Sequence, residues 1–289
     1  MPIFIQLLFA LERAAAGLRQ HAIQVEDHRI VYAEGGHGET ILLLHGFGAQ
    51  HSTWNRFAKF LTPSWRVIAP DLPGWGASTR LRSASYGYGD QIQRLHHFVR
   101  ALKLERFHLL GHSMGGCLAA YYAAFYPDEP VTLCLVAPHG ILEPRESELR
   151  KAIQRGENWL LVSSPADFDR LQARLFEKPP FAPKAILRYL ERDAVARCPQ
   201  NREIFERLQN PEMPLLRALP QISAPVLVLW GERDRFIDAS AAEVFASKIP
   251  NARVQILAKV GHMPTLENAQ QCAQAYLDFL QSATNQSKI

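Results

Sequence analysis

Four short runs of aliphatic and β-branched residues punctuate the first half of the chain, at 40–45 (TILLLH), 66–70 (RVIAP), 106–112 (RFHLLGH) and 131–137 (VTLCLVA). None alternates apolar with polar residues, so each is expected to be a strand buried on both faces, as in a parallel sheet. Between them apolar positions recur at spacings of three and four, for example Ile92, Leu95, Val99 and Leu102, which predicts helices. The same pattern returns near the C-terminus, with strands at 225–231 and 253–259 and a helix over 239–248. A last helix is expected to turn Leu266, Ala269, Ala273, Tyr276, Leu277 and Leu280 inward, and residues 282–289 read as a frayed tail. Segment 23–36 (IQVEDHRIVYAEGG) alternates around a polar turn at Asp27 and His28 and reads as a β-hairpin. Strands alternating with helices place the chain in the α/β class.

Two stretches depart from this alternation. Residues 141–222 hold successive helical patterns, FDRLQARLF, AILRYLERDAV and REIFERLQ, with prolines between them and no convincing strand. They are expected to form a helical insertion at one edge of the sheet. Of its large apolar groups Trp159, Leu160, Leu161, Phe168, Phe176, Phe181 and Phe205, about a third are expected to line a pocket, by analogy with apolar ligand sites. Residues 1–20 read as a helix, apolar first and basic later, that either packs on the body of the protein or lies in a membrane interface through residues 3–18. The domain division expected is therefore an N-terminal helix at 1–20, a core at 21–140 and 223–283, and a helical insertion at 141–222.

Composition narrows the function classes. The apolar run at 3–11 is far shorter than the roughly 18–20 residues needed to span a bilayer, and no basic residue precedes it as a secretory leader would require. The expected location is cytoplasmic or peripheral on a membrane, and secretion is not indicated. A net charge of +4, with no basic block interleaved with aromatics, gives no basis for nucleic-acid binding. The insertion carries fourteen Lys and Arg against twelve Asp and Glu, so its charge balance does not call for a charged substrate. Four cysteines without a CxxC pair suggest neither disulfides nor zinc and read as small buried residues. Oligomeric state is not legible.

The chemistry concentrates in three loops. GHSMGG, residues 111–116, lies between the strand RFHLL and the helical run CLAAYYAAFY. A serine in a sharp strand-to-helix turn requires little bulk two residues before and after it, and Gly111 and Gly115 occupy those positions around Ser113. A hydroxyl needs a base to become a nucleophile at neutral pH, and the base needs an orienting acid. His262, in KVGHMPTLE after the last strand, is the candidate base. For the acid, WGERDRFID offers Glu232, Asp234 and Asp238; Asp234 leads, with Glu232 too close to the strand and Asp238 placed to cap the next helix. Asp71, in DLPGWGAS, is read as structural. No third glycine completes a dinucleotide fingerprint around HGFG or PGWG, so no nicotinamide or flavin site is expected.

The order serine, acid, histidine in loops after successive strands resembles that of the α/β-hydrolase superfamily. The resemblance covers nearly the whole chain. It implies a mostly parallel eight-stranded sheet flanked by helices, with 141–222 as a helical cap. It also implies that HGFG, residues 45–48, supplies one oxyanion-hole N–H from Phe47, with Met114 supplying the other. Haloalkane dehalogenases and epoxide hydrolases of this fold use an aspartate where this chain has Ser113. Carbon–carbon hydrolases commonly place a tryptophan soon after the histidine, where this chain has Met263, Pro264 and Thr265.

The sequence looks most like bacterial lipase/esterases and monoacylglycerol lipases with a helical cap, through GHSMGG, SPADFDRLQARLFEKPPFAP, IFERL, WGERDRFIDAS and VGHMPTLE. Some relatives are membrane-attached by an N-terminal hydrophobic helix. The implied activity is hydrolysis of acyl esters such as monoacylglycerols or lysophospholipids through an acyl-enzyme, with no metal or organic cofactor. A small-ester carboxylesterase, a carbon–carbon hydrolase and a non-catalytic ligand receptor on the same fold stay open as alternatives.

Overall fold

The computed structural model describes residues 3–209 and 214–286. Its strands are β1 (Leu18–Val25), β2 (His28–Gly35), β3 (Thr40–Leu44), β4 (Arg66–Pro70), β5 (Phe107–His112), β6 (Pro130–Val136), β7 (Val226–Gly231) and β8 (Ala252–Leu257). Its helices are α1 (Ile3–Ala15), α2 (Asn55–Ala58), α3 (Tyr88–Ala101), α4 (Met114–Phe125), α5 (Glu148–Gln154), α6 (Pro165–Leu175), α7 (Lys184–Leu208), α8 (Leu215–Ala218), α9 (Ala241–Lys248), α10 (Pro264–Glu267) and α11 (Ala269–Gln286). One eight-stranded sheet runs in the order β1-β2-β4-β3-β5-β6-β7-β8. β1 and β2 pair antiparallel, as does β2 with β4, and every pairing from β4 to β8 is parallel.

The unbroken apolar runs are the buried strands. Every residue of β3, β5 and β7 is buried, because helices cover both faces of the sheet. Alternate residues serve opposite layers: Leu42 and Leu44 pack with α3 and α4, while Ile41 and Leu43 pack with Trp54, Phe57 and the α11 residues Tyr276 and Leu280. The edge strands β1 and β8, covered less completely, mix exposed with buried positions. All four cysteines are free and buried.

Several boundaries differ from the sequence reading. The N-terminal helix stops at Ala15 rather than near residue 20, because Gly17 adopts φ +68° and its N–H bonds back to the Ala14 carbonyl. Leu18 then starts β1, five residues earlier than the alternation suggested, with a tight turn at Glu26 and Asp27 so that Val25 pairs with His28. The expected tail is helical as far as Gln286, and residues 287–289 lie outside the described residues.

Between β6 and β7 the chain carries α5 to α8 and, among the described residues, no strand. Two of the helical patterns expected to be separate are one 25-residue helix, α7, which continues through Pro199. Proline in a helix interior removes a hydrogen bond and normally breaks the helix. Here Cys198, Asn201, Ile204 and Leu208 are buried, while Arg197 donates to the Gly76 carbonyl and Gln200 to that of Gly74. Tertiary contacts thus hold the helix on both sides of the proline.

Leu110, at the centre of β5, is fully buried in the layer that includes Leu43, Val136 and Tyr276. Leu110→Ala is expected to lower the free energy of unfolding by about 2–5 kcal/mol in urea titration, and a loss under about 1 kcal/mol would contradict this packing.

Candidate active site

Parallel strands deliver their carboxyl ends to one edge, and the loops leaving β3, β5, β7 and β8 meet there. The order reverses between β3, whose successor β4 lies on one side, and β5, which starts the other half. Ligands of open α/β sheets bind in the crevice at such a point. The crevice here is flanked by the HGFG loop after β3 and by Ser113 after β5.

Ser113 sits at φ +54° and ψ −116°, a conformation that L-residues rarely adopt, and its N–H is fixed by the Val136 carbonyl at 2.9 Å. The turn is possible only because its neighbours lack side chains. A Cβ on Gly111 would lie 2.1 Å from the Gly115 carbonyl oxygen, and one on Gly115 would lie 2.3 Å from that of Leu44. The same compression brings Gly46 of the HGFG loop against Ser113, where an added Cβ would stand 3.3 Å from the serine Cβ.

His262 Nε2 lies 3.1 Å from Ser113 Oγ, and His262 Nδ1 lies 2.7 Å from Asp234 Oδ2. Asp234 is buried and fully engaged. Its Oδ2 also accepts from Trp230 Nε1 at 3.0 Å, and its Oδ1 accepts from the N–H groups of Phe236 and Ile237 at 2.8 and 3.0 Å. These donors stabilise the carboxylate and fix its direction. Asp234 therefore requires His262 to present a protonated Nδ1, which leaves Nε2 as the acceptor facing Ser113. The other two acids do different work: Glu232 accepts from the Lys259 N–H at 2.9 Å, and Asp238 accepts from that of Ser240 at 2.9 Å, just before α9.

The HGFG loop has its own support. His45 Nε2 accepts from the Leu72 N–H at 2.9 Å, so the proton on Nδ1 is donated to the Gly46 carbonyl at 2.8 Å. Burial lowers the pKa of His45 and keeps it neutral in this role. Among the described residues, neither the Phe47 nor the Met114 N–H donates to another protein group. Asp71 accepts from the N–H and Nδ1 of His51 and from the Ala77 N–H, at 2.6 to 2.7 Å, which ties the DLPGWG loop to the segment after HGFG. Burial works to raise its pKa, but the His51 side chain and the remaining donors prevail and lower it.

Four contributors were not anticipated from the sequence. His112, preceding the serine, donates from Nε2 to the His262 carbonyl at 2.8 Å. Burial, reinforced by the neighbouring His262, holds it down to about 3, so it stays neutral and keeps the donor oriented. Phe236 stacks on the His262 ring at 5.1 Å. Glu267 accepts from the N–H groups of Gly261, Glu177 and Lys178, and Leu175 accepts the His262 N–H, so the end of α6 is tied to the histidine loop. Only the GHS tripeptide hinted at the first; the others depend on chain crossings between distant segments. Four residues beyond Ser113, burial pushes the Cys117 thiol up to about 12, leaving it unionised and unreactive.

These groups open on a cavity of about 510 Å³. Its wall combines Ser113, His262 and Phe47 with Leu160, Phe168, Leu171 and Phe176 from the stretch through α6, Leu187 and Leu190 of α7, and Leu8 and Phe9 of α1. Leu160, Phe168, Phe176 and Phe181 all line it, more than the third expected of that apolar set. α1 packs on the body through Phe9 against Tyr189 and a Glu12–Arg56 ion pair of 2.7 Å, while Leu7 and Leu11 stay exposed.

A strained serine at the switch point of a mostly parallel sheet, joined to a histidine and an aspartate from later loops, defines an α/β hydrolase. Residues 39–269 match the family described as alpha/beta hydrolase fold, and the chain belongs to that family. The chain is 30% identical to monoacylglycerol lipase ABHD6 of Homo sapiens, covering 97% of this chain and 88% of the human protein. Lipase 1 of Psychrobacter immobilis is 31% identical, over 87% of this chain and 80% of that lipase. Among solved structures, one described as a membrane phospholipase A and bacterial virulence factor superposes with a TM-score of 0.96 at 42% identity, covering 98% of this chain and 92% of that one.

Gly115→Ala forces a Cβ against the Leu44 and His45 carbonyls. It is expected to cost at least about 1–3 kcal/mol of stability and to remove most of the reactivity of Ser113 toward an active-site fluorophosphonate. A variant that melts and labels like the wild type would contradict the close approach.

Proposed function

We propose that this protein is a serine hydrolase that cleaves carboxylic esters of lipid-like alcohols, such as monoacylglycerols or lysophospholipids, through an acyl-enzyme. The observation that carries the reading is the Ser113–His262–Asp234 relay, at 3.1 and 2.7 Å, opening on a largely apolar cavity.

In this reading His262 Nε2 takes the Ser113 proton as Oγ attacks the ester carbonyl, and Asp234 stabilises the imidazolium that forms. The Phe47 and Met114 N–H groups receive the developing oxyanion, and each such donor is worth roughly 3 kcal/mol in the transition state. Collapse of the tetrahedral intermediate breaks the bond to the alcohol, which leaves with the proton from His262. Water then attacks the acyl-serine, giving its proton to His262, and the acid departs as Ser113 is restored. Residues 141–222 serve as a cap over the sheet edge, and its apolar groups receive the acyl chain. The absence of a tryptophan after His262 weighs against carbon–carbon hydrolysis.

We further infer peripheral contact with a lipid surface at the cavity mouth. Leu7 and Leu11 of α1, the helix whose Leu8 and Phe9 line the cavity, and the cavity-lining Phe181, which is 84% exposed, leave apolar side chains in water. Among the described residues no helix is long and apolar enough to cross a membrane.

Initial rates on monoacylglycerols and simple esters of increasing acyl length test the activity. Each buried CH₂ contributes about 0.8 kcal/mol, so kcat/KM is expected to rise about three- to fourfold per methylene until the cavity is filled. Ser113→Ala should abolish turnover with the fold intact. A preference for the shortest chains would mean a small-ester carboxylesterase, binding without turnover a receptor, and full activity in Ser113→Ala would end the assignment. For the surface contact, the double variant Leu7→Ser, Leu11→Ser is expected to sediment less with phospholipid vesicles, and undiminished sedimentation would refute it.

A further inference from the structure

α6 ends at Leu175, and the backbone is extended at Phe176 (φ −121°, ψ 147°), so neighbouring side chains turn opposite ways. Phe176 is buried and lines the cavity with Leu175, whereas Glu177 carries its carboxylate to two arginines. Its Oε1 accepts from Arg233 Nη1 at 2.6 Å, and its Oε2 accepts from Arg235 Nη2 at 3.1 Å. Those arginines flank Asp234 in the chain, so Glu177 spans the loop that carries the acid.

The same segment, residues 175–178, also holds the histidine loop. The Leu175 carbonyl accepts the His262 N–H at 3.1 Å, and the Glu177 and Lys178 N–H groups donate to the Glu267 carboxylate at 3.1 and 2.9 Å. Glu267 takes the Gly261 N–H as well, at 3.0 Å. A Cβ on Gly261 would stand 2.8 Å from the Glu177 nitrogen, so the two backbones meet just before His262. The acid and histidine loops are joined directly by the Arg233 N–H to the Val260 carbonyl and the Lys259 N–H to Glu232, each at 2.9 Å. Residues 175–178 add a second joint, made by a segment that borders the cavity. The ion pairs at Glu177 keep part of their exposure and contribute little to stability, so their effect lies in what they hold in register.

Resting on the hydrolase reading above, we propose that Glu177 is a positioning residue for the Asp234–His262 pair: it clamps the acid loop to the histidine loop from the segment that walls the cavity. Trp230, Phe236 and Ile237 fix the Asp234 carboxylate within its own loop, whereas Glu177 acts between the two loops. Their register matters because a misplacement of about 1 Å originating far from the chemistry can cost about a hundredfold in rate. The relay is used in every turnover, so loss of the clamp lowers kcat whatever the acyl chain and leaves KM nearly unchanged.

The test measures kcat and KM on a short and a long acyl ester for wild type, Glu177→Ala, Arg233→Ala, their double variant, Glu148→Ala and Ser113→Ala. Glu148, a second carboxylate 3.8 Å from Arg235, serves as the charge control. Glu177→Ala and Arg233→Ala are each expected to lower kcat about tenfold on both esters, with KM within about twofold of wild type. Glu148→Ala should leave both constants unchanged, and the double variant should lose far less than the product of the single losses, because the two residues act through one contact. Wild-type kcat in Glu177→Ala overturns the proposal, as do a loss confined to KM for the long ester, single losses that multiply, or an equal loss in Glu148→Ala. Arg233→Ala tests the same clamp from its other end if Glu177→Ala does not fold. A second readout needs no substrate: the His262 Nδ1 proton, deshielded by its bond to Asp234, is expected to shift or broaden in the proton NMR spectrum of Glu177→Ala, and an unchanged resonance also overturns the proposal. Turnover surviving in Ser113→Ala would instead break the hydrolase reading, a failure that the resonance keeps separate from the result at Glu177.

Discussion

The close approach of three backbone segments around Ser113 is the constraint on which the site depends. Gly111 and Gly115 leave no room for a Cβ and Gly46 leaves little, so the end of β5, the start of α4 and the HGFG loop are brought nearly into contact. The price is a serine held at φ +54°. What results is a hydroxyl standing clear of the strand, with the N-terminus of α4 behind it and, nearby, the N–H groups of Phe47 and Met114, neither of which donates to another described residue. Loosening any one of the three contacts would separate groups that must act within a few ångströms of each other.

Around that turn the protein uses neutral histidines as fixed connectors. His45 joins the HGFG loop to the loop after β4, and His112 ties the serine turn to the backbone of His262. Burial suppresses the charge on both, so each donates from one nitrogen only. His262 differs in having a buried carboxylate, which can support a positive charge on its ring when one forms. Position relative to Asp234 therefore separates a histidine suited to proton transfer from histidines suited to holding loops.

The helices between β6 and β7 do more than cover the edge. Leu175 and Glu267 connect the end of α6 to the histidine loop, while α7 is fastened to the DLPGWG loop through Arg197 and Gln200 and to Phe47 through Phe205. The cavity is consequently bounded by elements that also fix the reacting groups. A shift in α6 or α7 would be felt at His262 and at Phe47, which couples the shape of the pocket to the geometry of the chemistry.

Much of this was legible in the sequence because it depends on local order. Unbroken aliphatic runs marked the buried strands, and glycines flanking Ser113 marked the turn, since only they fit there. Loops following successive strands brought Asp234 and His262 into consideration before any distance was known. Local order could not show that Pro199 lies inside a continuous helix, because the contacts holding α7 on both sides of it come from residues more than a hundred positions away. Nor could it place the His112 side chain on the His262 carbonyl or show that Trp230, Phe236 and Ile237 hold the Asp234 carboxylate. The sequence by itself determined the central strands, the helices between them and the glycine-framed turn at Ser113, because periodicity and turn chemistry act between near neighbours. Tertiary structure alone decided which polar atoms meet and which stay unpaired, because that depends on how distant segments cross and which groups they remove from water.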